Sequence, residues 1–182
     1  AHMNFIDVAL NAYYYNAVQW AVESEITSGT SATRFSPGNA CTRAQVVTFL
    51  WRAAGCPEPT SNYNPFVDVP ANAYYRDAVL WAAEEGITTG VSSNRFAPNA
   101  TVTRGQTVAF LWRWDGKPDA EKRSGFRDVP ANAYYSDAVS WAVEMDITKG
   151  TSSTAFSPGK TCTRAQIVTF LYRDMWGGDY DD

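Results

Sequence analysis

The chain has 182 residues, 45% hydrophobic and 14% aromatic, which is ample apolar material for a core and too much for a disordered chain. Its net charge of −4 and sequence pI near 5.0, with no basic run, argue against non-specific nucleic-acid binding. No stretch approaches the roughly 18 consecutive apolar residues of a membrane-spanning helix.

The opening Ala1-His2-Met3 reads as a cloning scar and is set aside from fold reasoning. It holds His2, the single histidine, so catalysis or metal binding through imidazole is not expected. From Phe5 onward the chain is repetitive. Residues 5–52, 66–113 and 126–173 align without a gap, and the second and third copies agree at 30 of 48 positions. They share Phe-x-Asp-Val-Pro-Ala-Asn-Ala-Tyr-Tyr, Asp-Ala-Val, Trp-Ala, Ile-Thr-x-Gly, Phe-x-Pro, Thr-Arg-x-Gln and Phe-Leu-x-Arg. The first copy keeps most of this pattern but has Ala9-Leu10 where the others have Pro-Ala.

Each copy predicts helix, loop, helix. In the middle copy Ala78, Trp81, Ala82 and Glu85 follow helical spacing after Tyr74-Tyr75, and Gly86 can stop the helix. Ile87 to Pro98 is a loop whose Phe96 is expected to plug the core. Thr103 followed three residues later by Gln106 is a capping box that starts the second helix, and Thr42–Gln45 and Thr163–Gln166 repeat it. Val108, Phe110, Leu111 and Trp112 supply its apolar face, and Arg113 falls in the last turn, where a cation suits the helix dipole. Linkers 53–65 and 114–125 hold the Gly, Pro and polar residues of connections, and residues 174–182 form an acidic tail expected to fray. One such unit cannot bury its apolar face alone, so three are expected to form one compact all-α unit.

The three cysteines match no zinc spacing. Cys41 and Cys162 stand where the middle copy has Val102, which suits a small buried apolar site; a disulfide or an intermolecular bridge is the alternative.

The order Phe-x-Asp-Val, a Trp-bearing first helix, Ile-x-x-Gly, Phe-x-Pro and Thr-Arg-Ala opening a second helix resembles the S-layer homology repeat. That resemblance implies a pseudo-threefold spindle with a central three-helix bundle. It also implies grooves between repeats that bind secondary cell-wall polysaccharide, often through a pyruvate ketal. The expected setting is secreted, on the cell wall or surface of a bacterium with a Gram-positive-type envelope. The expected partner is the polysaccharide, with no nucleic acid, no cofactor and no metal, and the isolated module is expected to be a monomer without enzymatic activity. A surface protein-interaction module or an adhesin is the alternative. The family's Thr-Arg-Ala-Glu reads here as Thr42-Arg43-Ala44-Gln45, Thr103-Arg104-Gly105-Gln106 and Thr163-Arg164-Ala165-Gln166, and the family's Trp before the first helix is Tyr13, Tyr74 and Tyr134.

Arg43, Arg104 and Arg164 fall in a first helical turn, where free backbone N–H groups favour an anion and a guanidinium can grip a carboxylate with two bonds. The competing reading pairs them with Asp7, Asp68 or Asp128. Gln45, Gln106 and Gln166 either cap alone or also bond a sugar. Trp20, Trp81 and Trp141 are core residues or platforms for a sugar ring, and Tyr13, Tyr74 and Tyr134 fit a wet groove. Gly29, Gly90 and Gly150 serve a left-handed turn, with a close approach to a sugar as a second use. Differences in the loops, notably Arg34 and Arg95 against Ala155, predict inequivalent grooves. Glu84 and Glu144 are expected to be merely solvated, and no carboxylate pair suggests a glycosidase. The acidic residues Asp179–Asp182 lack the alternating ligands of a calcium loop.

Overall fold

A computed structural model describes residues 4–176. The scar, the last six residues of the expected tail and its Asp179–Asp182 stretch lie outside them. Among the described residues the protein is helical: α1 (Tyr15–Glu23), α2 (Arg43–Ala53), α3 (Arg76–Glu84), α4 (Arg104–Trp114), α5 (Ser136–Glu144) and α6 (Arg164–Trp176). α6 continues three residues past Arg173, so the first part of the expected tail is helix.

The two helices of a repeat begin differently. α1, α3 and α5 are nine residues each and start from a turn closed by Tyr15, Arg76 and Ser136 N–H groups on the carbonyls of Ala12, Ala73 and Ala133. They lack a side-chain cap and are shorter than the roughly 12 residues at which isolated helices become marginal, so packing must hold them. α2, α4 and α6 each begin with the expected capping box. Thr42, Thr103 and Thr163 accept from the Gln N–H three residues on, and the Gln Oε1 accepts the Thr N–H in return.

The main helix pairs join different repeats: α2 packs on α3, α4 on α5, and α6 on α1. The last repeat therefore closes on the first. At the centre of this ring three backbone hydrogen bonds form a triangle: Cys41 N–H to Cys162 O (3.0 Å), Cys162 N–H to Val102 O (2.8 Å) and Val102 N–H to Cys41 O (2.9 Å). The backbone makes the triangle, so the side chain need only be small and apolar. That is why Cys and Val interchange there. All three cysteines are free, Cys41 and Cys162 buried and Cys56 exposed, and burial pushes the Cys41 and Cys162 thiols up to about 12 and about 11.

Phe35, Phe96 and Phe156 plug the core as expected. Each plug is fixed by an aspartate 28 residues upstream. Asp7 accepts the N–H groups of Phe35 and Ser36, Asp68 those of Phe96 and Ala97, and Asp128 those of Phe156 and Ser157, at 2.8–2.9 Å. Desolvation raises the Asp7 and Asp68 pKa values, but these backbone donors outweigh it and leave both below the ordinary carboxylate range. Glu84 and Glu144 do more than face solvent. They accept backbone N–H groups of the preceding linker, Glu84 from Thr60 and Ser61 and Glu144 from Lys122.

Candidate functional site

The first helical turn of α2, α4 and α6 points into the neighbouring repeat. Arg43, Arg104 and Arg164 N–H groups donate to the carbonyls of Ala100, Lys160 and Asn39 at 2.8–2.9 Å. The next N–H groups, on Ala44, Gly105 and Ala165, donate to Pro98, Pro158 and Pro37, and the third go to the capping threonines. The expectation of free first-turn donors for an anion is therefore wrong: the neighbouring Phe-x-Pro loop and the cap already occupy them.

The arginine side chains take the same route. Nε of Arg43, Arg104 and Arg164 donates to the Phe96, Phe156 and Phe35 carbonyls at 2.8–3.0 Å. Each guanidinium sits between two phenylalanine rings of the neighbour: Arg43 over Phe96 (4.9 Å) and Phe110 (5.4 Å), Arg104 over Phe156 and Phe170, Arg164 over Phe35 and Phe49. Among the described residues none makes an ion pair with Asp7, Asp68 or Asp128; the single such pair is Arg76–Asp77. Only 4–5% of each arginine is exposed, and burial lowers its pKa, yet Arg43 and Arg104 each line an open groove.

Each groove draws on all three repeats. In one, of about 340 Å³, Arg104 of the second repeat meets Gln166, Phe170 and Arg173 of the third and Tyr13 of the first. In the next, of about 300 Å³, Arg43 meets Gln106, Phe110 and Arg113, with Tyr134 contributed by the third repeat. The remaining set repeats the plan. Arg164 Nη2 donates to Thr27 Oγ1 at 3.3 Å, and Arg52 and Arg164 both act on the Tyr74 phenol, opposing the desolvation that raises its pKa.

The groove residues are chiefly donors. Gln106 and Gln166 use Oε1 in their caps, while Nε2 makes no hydrogen bond among the described residues. Tyr13, Tyr74 and Tyr134 are 57–63% exposed, each braced edge-on by the following tyrosine. Among the described residues no carboxylate lines the Arg104 groove or the Arg43 groove. Gly90 and Gly150 line the grooves, and their φ of +85° with a phenylalanine ring 2.6–2.7 Å from any added Cβ makes glycine a structural need; Gly29 is alike.

The tryptophans lie elsewhere. Trp81 (5% exposed) and Trp141 (4%) are buried in the core and offer no face to a sugar. Trp20 is half-buried and stacks on Tyr172, outside the grooves. The sequence reading missed Arg52, Arg113 and Arg173 as site residues, although Phe-Leu-x-Arg recurs in every copy. Their Nη1 groups donate to the carbonyls of Ile26, Ile87 and Ile147, and Arg113 and Arg173 thereby stand as second cations in the two grooves. It also missed Lys149, which adds a third cation beside Arg104 and Arg173 where the other copies have Thr89 and Ser28. Arg95, expected to distinguish the grooves, does not line the Arg43 groove.

A family model described as S-layer homology domain matches residues 4–47, 65–108 and 125–168. The chain is 31% identical over 179 residues to an endoglucanase of Bacillus sp. (strain KSM-635), covering 94% of this chain and 19% of that protein. It is 31% identical over 155 residues to the surface-layer 125 kDa protein of Lysinibacillus sphaericus (84% and 12%) and 24% identical over 174 residues to an S-layer protein of Bacillus thuringiensis subsp. finitimus (94% and 21%). The chain thus spans about a fifth or less of these relatives.

Proposed function

This chain belongs to the S-layer homology domain family, and on that premise we propose that it is a non-catalytic module anchoring a secreted protein to an anionic cell-wall polysaccharide. The observation that carries the reading is the pairing of two buried or half-buried guanidiniums, Arg104 with Arg173 and Arg43 with Arg113, in open grooves lined by no carboxylate among the described residues, on a protein of net charge −4. Such a groove is matched to a sugar-borne carboxylate, as a pyruvate ketal supplies. The arginines are held in advance by carbonyls and rings, so little order is lost on binding. Tyr13 or Tyr134 offers a ring face and a hydroxyl at the mouth. The relatives' names, an S-layer protein and a surface-layer protein among them, support a place at the cell surface. The groove chemistry supports a binding role, since its cations and amides include no acid and base pair for glycoside cleavage.

The groove holding Arg104, Arg173 and Lys149 binds most strongly. Lys149 is exposed and its removal leaves the fold intact, so Lys149→Ala should weaken polysaccharide binding by up to about fivefold, more at low salt. Thr89→Lys in the neighbouring groove should strengthen it. Calorimetric titration with extracted wall polysaccharide measures both. Equal binding by wild type and both variants would remove the inequivalence. Capture by cell-wall sacculi that persists after acid extraction of the polysaccharide would overturn the polysaccharide reading itself.

A further inference from the structure

Two of the three helix seams carry a linker laid across them. At α2–α3, Trp51 Nε1 donates to Pro57 O (2.7 Å), and the Glu84 carboxylate accepts Thr60 and Ser61 N–H groups at 2.9 and 3.0 Å. At α4–α5, Trp112 Nε1 donates to Pro118 O (2.9 Å), Glu144 accepts Lys122 N–H (2.8 Å) and Ser140 Oγ accepts Ser124 N–H (3.0 Å). The tryptophan on the second helix of each seam, Trp81 on α3 or Trp141 on α5, is buried.

The α6–α1 seam keeps two of the three anchoring positions, with Tyr172 where Trp51 and Trp112 stand. Trp20 stands where Trp81 and Trp141 stand, Glu23 where Glu84 and Glu144 stand. Yet Trp20 is half-buried, and Glu23 is exposed, met among the described residues by Gln19 Nε2 at 3.3 Å and by no backbone N–H. A cavity of about 230 Å³ opens between Trp20, Ile26, Arg52, Met175 and Trp176, and a second recess beside it reaches Glu23. Trp176 at its edge is 64% exposed.

We propose that the α6–α1 seam is a docking site for an extended peptide segment from outside the three repeats, held by a carboxylate as the linkers are held at the other two seams. Successive backbone N–H groups of the segment go to the Glu23 carboxylate, and its apolar part covers Trp20. A carboxylate receptor for N–H donors fits peptide backbone, and among the described residues no cation lines the recess at Glu23, whereas Arg52 lies in the cavity beside it.

The test uses the whole chain, ¹⁵N-labelled, titrated with a synthetic peptide of residues 115–125, whose counterpart already lies on α4–α5. The Trp20 indole N–H should shift saturably, and Glu23→Ala should weaken the binding about tenfold, because charge-assisted bonds to the carboxylate are lost. Glu23 is exposed, so the variant keeps its fold, and the rest of its spectrum verifies that. No saturable shift at Trp20 overturns the proposal, as does unchanged affinity in Glu23→Ala. A Trp20 shift given by wall polysaccharide and not by the peptide overturns it too.

Discussion

Glu25, Gly86 and Asp146 occupy one place in the three repeats, the left-handed residue after the first helix, with φ of 60°, 73° and 57°. Only glycine takes that conformation without steric cost, and a Cβ at Gly86 would meet nothing within 4 Å. Gly86→Ala should therefore destabilise by about 1 kcal/mol through backbone strain alone, and Glu25→Gly should stabilise by up to a similar amount, less the entropy glycine adds to the unfolded chain. At Gly90 the same left-handed strain is joined by the Phe66 ring and the Arg95 carbonyl, each 2.6 Å from the added carbon. Urea unfolding should rank Gly90→Ala as the costlier change; equal costs would show that the Phe66 ring yields freely. At this scale the sequence is legible where a partner is near in the chain. The capping box spans three residues and can be read directly, whereas Arg43, Arg104 and Arg164 find their carbonyls 53, 52 and 129 residues away. Nothing local marks those partners, so the arginines look like free anion ligands when part of each is a staple between repeats.

Between elements, the ends of α4 and α6 meet through acidic residues. Asp174 is half-buried, its buried Oδ2 has no hydrogen-bond partner among the described residues, and burial together with Asp115 pushes its pKa up to about 9. The folded chain therefore holds a proton that the unfolded chain releases near 3.8. With the folded pKa above the unfolded one, this group's contribution is full below about 3.8, declines as pH rises and is gone above about 9. Melting temperature should fall between pH 5 and pH 8 in the wild type, and Asp174→Asn should flatten that slope while raising stability at pH 8. A slope unchanged by the substitution would place the titration elsewhere. The sequence pattern puts Asp174 in a fraying tail because it lies past the last repeat, in a segment that ends in acidic residues. Packing against α4, which periodicity does not encode, keeps it helical. The linker anchors Glu84 and Glu144 are hidden for the same reason, since their partners lie 22–24 residues upstream.

Over the whole molecule, triplication is plain in the sequence, but a line of repeats and a closed ring share the same periodicity. What decides between them is that α6 packs on α1 and that Cys41, Val102 and Cys162 close their triangle. In a linear stack, losing the last repeat removes one interface and leaves the others intact. In this ring, a chain ending at residue 125 loses two of three seams, since α4 is left without α5 and α1 without α6. It also exposes the Arg104 guanidinium, whose carbonyl and both rings belong to the third repeat. Two of the three central hydrogen bonds go with Cys162. A small domain's margin is only about 5–15 kcal/mol, so with two of its three seams lost, residues 4–125 should not fold by themselves. The spectrum of that fragment should lack dispersed amide signals, and its far-ultraviolet circular dichroism should lose most helix. Adding residues 126–182 as a separate chain should restore both, because the missing seams can form between chains. A fragment that instead unfolds cooperatively with dispersed signals would mean that the α2–α3 seam suffices and that ring closure is not what holds the repeats together.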